Sequence, residues 1–294
     1  MALYKYVRPE RVDVLRNGLI RLTQPTALND PFELKPFFRE LVTNQTLVKY
    51  LDGQTIDLDA AMRSVVDELT AEQLRGLTKE QALSLLRAHM TPQAAVQGIS
   101  LALNLMAQFF SVATAPVQKS LTERLGSDVG ILSLTEVADN PPMWAHYAAD
   151  HTGFLLVFDE RDSFFNRRRS EGDEFYYLRK VIYRPAPSVH SELMAMTGDD
   201  IFVTKREEWA YEREWRLLAP LKGASQTIQV GDESCYLFVV PPTAIRGVVL
   251  GARASEGLEK EIRTLTETRK ELNHLTIEKA RLNGDGTISF TTIS

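Results

Sequence analysis

Between about Leu58 and Leu125 the chain becomes rich in Ala, Leu, Gln, Glu and Arg and poor in glycine and aromatic residues. Leu74, Leu77, Ala82, Leu85 and Leu86 recur at helical spacing, and Thr78-Lys79-Glu80-Gln81 has the form of a capping box. On either side of this block, short runs of β-branched and aromatic residues alternate with turn signals. Helices gathered in one stretch of an otherwise strand-forming chain predict an α+β fold. The expected organisation is a single domain over 1–294 with a helical insert at 58–125. The insert carries no ligand cluster, so its expected role is structural.

The strand-forming parts read in order. Leu3–Val7 is a short strand, Pro9 and Glu10 open a helix, and Asn17-Gly18 stops it. Leu19–Thr23 is strand-like, and Asn29-Asp30-Pro31-Phe32-Glu33 is a turn signal. Gly130–Thr135 is a further strand, Asn140-Pro141-Pro142 leads into a short aromatic helix over Met143–Ala148, and Phe154–Phe158 is apolar enough to be a buried strand. Arg179–Tyr183, Gln226–Val230, Tyr236–Val240 and Gly247–Leu250 have the same character. Ser255–Leu272 forms an amphipathic helix, and strands near Leu275–Ala280 and Thr287–Thr292 follow it.

Composition sets the class. A hydrophobic fraction of 44% and a charged fraction of 25% over 294 residues suit a globular protein with a real core. The net charge of −5 gives no overall attraction to nucleic acid. Cys235 is the lone cysteine, so no disulfide forms within the chain, as expected in a reducing cytoplasm. Its apolar neighbours predict a small buried residue without catalytic work. Ile99–Ala115 is interrupted by Ser100, Asn104, Gln108 and Ser111, which predicts a buried helix and no membrane span. Met1-Ala2-Leu3-Tyr4-Lys5-Tyr6 lacks the form of a signal peptide, so the expected location is cytoplasmic.

Chemistry concentrates in Glu207–Leu218. Read as one strand, it carries Trp209, Tyr211, Arg213, Trp215 and Leu217 on one face and Glu212, Glu214 and Arg216 on the other. Paired carboxylates raise each other's proton affinity and a neighbouring guanidinium lowers it, a coupling found at functional sites and in structural ion-pair networks alike. Metal-binding spacings are absent: His146 and His151 do not share a helical face, and neither a Walker loop nor a Gly-x-Ser-x-Gly elbow occurs. A carboxylate-bound Mg²⁺ needs no such motif and stays open. Arg167-Arg168-Arg169, close to Phe164, Phe165, Tyr176 and Tyr177, suits either a single-stranded nucleic acid or a solvated loop. Trp144, His146 and Tyr147 suit either a flat ligand or simple packing of their helix.

Taken in order, Leu3-Tyr4-Lys5-Tyr6, Asn29-Asp30-Pro31-Phe32-Glu33, Ser133-Leu134-Thr135, Met143-Trp144-Ala145-His146-Tyr147 and Tyr211-Glu212-Arg213-Glu214-Trp215-Arg216 resemble a bacterial and phage family of domains of unknown function. More distantly they resemble ADP-ribosyltransferase-fold toxins of the DNA-modifying type. That resemblance implies an ADP-ribosyltransferase-like mixed or antiparallel β core, NAD as cofactor, and a nucleic-acid or protein acceptor in a toxin or phage-defence setting. It further implies Glu214 as catalytic acid with Glu212 beside it. Lys5, with Tyr4 or Tyr6, falls at the cofactor-gripping position, and Ser133 or Thr135 at the middle motif. Trp144, His146, Tyr147 and Arg216 complete the implied pocket. Lys5 stands where these toxins have histidine or arginine, and lysine lacks the planar bidentate grip. The alternatives are a non-catalytic nucleic-acid or protein binding module and a carboxylate–Mg²⁺ phosphodiester enzyme.

Overall fold

Phe154–Asp159 is apolar at nearly every position because it lies inside a sheet covered on both faces. In the computed structural model, which describes residues 1–30, 33, 38–52, 57–90, 92–185 and 190–293, this strand pairs with Ala2–Val7 on one side and Ile245–Leu250 on the other. Among the described residues the sheet has eight strands. Its order is Ile288–Thr292, Thr276–Leu282, Ile245–Leu250, Phe154–Asp159, Ala2–Val7, Val129–Thr135, Glu214–Pro220 and Leu178–Lys180. Ile245–Leu250 and Thr276–Leu282 run parallel, while the other neighbours are antiparallel, so the sheet is mixed and the fold is α+β. A three-stranded sheet, Gln226–Val230, Glu233–Val239 and Leu19–Leu22, accompanies it.

Alternation along the strands sends side chains to two cores. Leu3, Phe154, Leu156, Val248 and Leu250 join the larger one, which also takes Leu258 and Ile262 from the helix Glu256–Thr268. Tyr6, Leu155 and Val249 join the smaller one, against Met143, Trp144 and Ala148. Gly153 is required at the entry to Phe154–Asp159, because a Cβ there would lie 2.1 Å from the Val7 carbonyl oxygen.

The pairing of Ala2–Val7 with its two neighbours is unequal. It meets Phe154–Asp159 over six residues but Val129–Thr135 only at Tyr4 and Thr135. Val129–Thr135 turns instead toward Glu214–Pro220, paired over seven residues, and bridges Thr23 through Ile131. The sheet therefore splits between Ala2–Val7 and Val129–Thr135.

The chain divides into two compact units, one comprising 1–36, 120–188 and 197–294, the other 37–119 and 189–196. The second contains the helices Leu58–Glu68, Ala71–Leu74 and Lys79–His89, the last with the Thr78–Gln81 capping box expected from sequence. Phe38–Glu40 and His190–Glu192 pair there as short parallel strands. The long helix Pro92–Asp128 begins in this unit. Its apolar stretch is not buried as expected: only 6% of its most apolar window is covered, and Leu101, Leu105, Phe109 and Val112 are exposed. By length and composition Gln97–Asp128 is long and apolar enough to cross a membrane. The helix is apolar around most of its circumference, so its sequence carries no polar stripe to tell a covered face from an open one.

Other expectations meet local detail. Gly18 takes φ +66° and caps the helix Asp13–Asn17 with its N–H on the Val14 carbonyl. Asn140 caps Pro141–Tyr147 by accepting from the Met143 N–H. Arg179–Tyr183 is interrupted at Val181 and gives two short strands in different sheets. Cys235 is buried. In the Asn29–Glu33 turn, the Glu33 N–H donates to the Asp30 carbonyl, while Pro31 and Phe32 lie outside the described residues.

Candidate active site

Glu207–Leu218 is not one strand. Glu207–Glu212 forms a 3-10 turn, Arg213 adopts left-handed backbone at φ 42°, and the strand begins only at Glu214. A run of charged and aromatic residues satisfies a two-residue alternation without being extended, which is why periodicity alone misreads it. Within the strand the i, i+2 relation of Glu214 and Arg216 holds, and the guanidinium lies flat on its neighbour: Nε donates to Glu214 Oε1 at 2.8 Å and Nη2 to Oε2 at 2.9 Å. Glu212 approaches from the turn. Thr135 fixes that turn by donating its hydroxyl to the Glu212 carbonyl.

Two residues outside the predicted set complete the cluster. Lys205, on the strand Thr204–Arg206, places Nζ 2.6 Å from Glu212 Oε2, 3.1 Å from Glu214 Oε2 and 3.1 Å from Glu33 Oε1. Arg216 reaches Glu33 as well, at 3.1 Å, and donates through Nη1 to the Phe202 carbonyl. All five side chains are buried, Arg216 fully. Three carboxylates against two cations leave one excess negative charge. Lys205 lies in a chain segment with no motif of its own. Glu33 closes the Asn29–Glu33 motif, whose sequence marks a turn and a point of resemblance without assigning it a role in the site.

The electrostatics follow. Burial alone would raise the Glu214 carboxyl, but Arg216 and Lys205 outweigh it and hold the group down at about 2. Burial raises Glu33, against the pull of Arg216 and Lys205. Burial opposes the Lys205 charge as well, and Glu214, Glu33 and Glu212 overcome it, so its pKa rises. The Tyr147 hydroxyl is pushed up by burial and then by Glu212, to which it donates at 2.6 Å; it accepts in turn from Asn29. The Lys205 ammonium lies among the three carboxylates, the position a carboxylate-bound Mg²⁺ would take. Among the described residues no group of three His, Cys, Asp or Glu side chains is arranged for a metal.

Beside this cluster, in the split of the sheet, is a cavity of about 230 Å³. Of the sequence-predicted residues, Tyr4, Lys5, Tyr6, Ser133, Thr135 and Tyr147 line it, together with Glu212 and Glu214. Lys5 spans the gap left by the missing strand pairing: Nζ donates to the Ser133 carbonyl at 3.2 Å, where a sheet hydrogen bond would otherwise fall. Burial lowers its pKa to about 8. The Tyr6 hydroxyl donates to the Val137 carbonyl.

Three predicted residues do not line the cavity. Trp144 is fully buried, donates Nε1 to the Ala138 carbonyl, and has its ring occupied by the Tyr6 edge and a stacked His151. The expectation that it offers a face to a ligand is therefore corrected: it anchors the helix, and Tyr147 provides the aromatic wall. His146 is exposed and only touches the edge of Tyr147. Arg216 acts from behind, through Glu214. The Arg167–Arg169 run stacks on Phe164, Tyr176 and Tyr177, away from this cavity.

A family model described as a protein of unknown function (DUF2971) matches residues 143–217. The matched stretch begins in the Pro141–Tyr147 helix and ends in the Glu214–Pro220 strand, so it contains Tyr147, Lys205, Glu212, Glu214 and Arg216. Lys5, Glu33 and Ser133 lie before it. No curated protein matches the chain, and no solved structure does.

Proposed function

We propose that the split between Ala2–Val7 and Val129–Thr135 binds the nicotinamide–ribose end of NAD and that the protein transfers ADP-ribose to a macromolecule. The observation that carries this reading is the convergence of Lys5, Ser133 and Glu214, from three strands, on one cavity. The lining chemistry fits such a ligand. Glu212 and Glu214 offer carboxylate oxygens to ribose hydroxyls, Lys5 offers a cation to a phosphate, and Tyr4, Tyr6 and Tyr147 offer ring walls. The cavity is smaller than the roughly 300–1,000 Å³ of drug-sized sites, which suits one ring-and-sugar end of a dinucleotide.

When bound, NAD supplies the ribosyl–nicotinamide bond that is broken. Glu214, kept ionised by Arg216 and Lys205, sets a fixed negative charge beside the ribose, where positive charge develops as that bond lengthens. Glu212, held beside Glu214 by Tyr147 and Lys205 and lining the same cavity, is the carboxylate assigned to the acceptor's proton. The nucleic-acid or protein acceptor and the toxin or phage-defence setting rest on the sequence resemblance.

The test is mass spectrometry of nucleic acid and of protein incubated with the chain and NAD. A gain of one ADP-ribose on either is expected, and Glu214→Gln should abolish it. Circular dichroism of the variant separates lost chemistry from lost fold. Transfer that persists in a folded Glu214→Gln protein would end this assignment.

A further inference from the structure

Lys5 is unlike the other cations of the site. Its strand neighbours Leu3 and Val7 belong to the larger core, so the side chain enters the split through apolar surroundings. Its Nζ donates to a neutral carbonyl, that of Ser133, and among the described residues it makes no ion pair. The charged groups facing it are Glu214 across the split and Arg11 and Arg21, whose like charge works with burial against the ammonium. One acceptor engages one of three N–H bonds, leaving the rest of the amine toward the cavity it lines.

We propose that Lys5 is an amine nucleophile that captures the aldehyde carbon of a small sugar as a Schiff base. The Nζ lone pair adds to the carbonyl carbon while the carbonyl oxygen takes a proton. Loss of that oxygen as water leaves the C=N bond, with no net oxidation or reduction. The hydrogen-bonded Tyr147–Glu212 pair lines the same cavity and exchanges the protons. A sugar fits better than a plain aldehyde, because Glu212 and Glu214 present acceptors for hydroxyl groups and the tyrosine rings present flat walls to C–H faces. The cavity of about 230 Å³ holds a pentose. This activity does not rest on the NAD reading, since NAD itself carries no free aldehyde.

Wild-type protein treated at pH 7.5 with D-ribose and sodium cyanoborohydride, then digested and mapped by mass spectrometry, tests the proposal. An amine that deprotonates near 8 has on the order of 100-fold more free base at that pH than an ordinary lysine, so Lys5 should be labelled about 100-fold faster than exposed lysines such as Lys260. The Lys5 labelling rate should level off above about pH 8, and Lys205 should stay unlabelled. Lys5→Arg should remove the fast label and leave the slow surface background. Labelling of Lys5 no faster than the surface lysines, or still climbing steeply beyond pH 10, would overturn the proposal. Labelling of Lys5 by glycolaldehyde but not by ribose would overturn its sugar assignment.

Discussion

Lys205 and Lys5 line the same cavity and are both drawn out of water, yet their surroundings are opposite. Lys205 has three carboxylates within 3.1 Å and the Trp209 ring 4.8 Å away, and its charge is stabilised. Lys5 has a backbone carbonyl and an apolar strand, and its charge is penalised. Burial acts in the same direction on both, so counter-charge decides the outcome. The first arrangement is a rigid knot that positions Glu212 and Glu214. The second is a poised amine facing open volume. One cavity thus has a wall that cannot easily change its ionisation and another that does so near neutral pH.

Removing one cation from the knot should give the largest effect. Lys205→Met leaves Glu33, Glu212 and Glu214 crowded and buried, and is expected to cost about 3–5 kcal/mol in denaturant unfolding. A cost under about 1 kcal/mol would mean that these groups do not act as one network. Acid should act on the same knot. The folded Glu214 carboxyl lies at about 2, below its ordinary value of 4.5, so its contribution is complete above 4.5 and fades as pH falls toward 2. A stability profile with Glu214→Gln as reference should show the two proteins converging over that range.

The other wall should respond with the opposite sign. Lys5→Met removes a charge whose pKa is lowered from 10.5 to about 8, a penalty of roughly 3 kcal/mol, together with one hydrogen bond of about 1 kcal/mol, so at pH 7 the variant should be more stable by about 2–3 kcal/mol. Because the folded pKa of about 8 lies below the ordinary 10.5, the unfolded chain binds more protons between these values. The wild type should therefore gain stability relative to Lys5→Met as pH rises from about 8 to 10.5. A relative loss across that window would reverse the comparison. The smallest effect is expected for Tyr147→Phe, which removes one hydrogen bond to Glu212 and one from Asn29, at about 1–2 kcal/mol in the same assay.

Strands with a strong local signature were legible in the sequence. Phe154–Phe158 needed only its unbroken apolar run, the end of Asp13–Asn17 needed only Gly18, and the Met143–Ala148 helix needed only its Asn-Pro-Pro start. Glu207–Glu212 was misread because a 3-10 turn and a strand can share an alternating pattern over a few residues, and Arg213 adopts a backbone that its side chain does not announce. The exposure of Leu101, Leu105, Phe109 and Val112 was hidden for a related reason: composition records that a helix is apolar, not what covers it.

The candidate site divides along the same line. Lys5, Ser133, Glu212 and Glu214 stood out because each sits in a short motif that pairs polar residues with aromatic or apolar neighbours. Lys205 did not, and Glu33 stood in a motif without a role, because an ion pair between residues so far apart in the chain leaves no periodic trace in either segment. Residue types and local backbone preferences are properties of neighbours along the chain, and these the sequence determined: an α+β fold, the position of many of its strands along the chain, and which side chains were available for chemistry. The split between Ala2–Val7 and Val129–Thr135, the caging of one lysine and the stripping of the other depend on which distant segments meet. Only the tertiary structure decided those, because counter-charge and desolvation act through space.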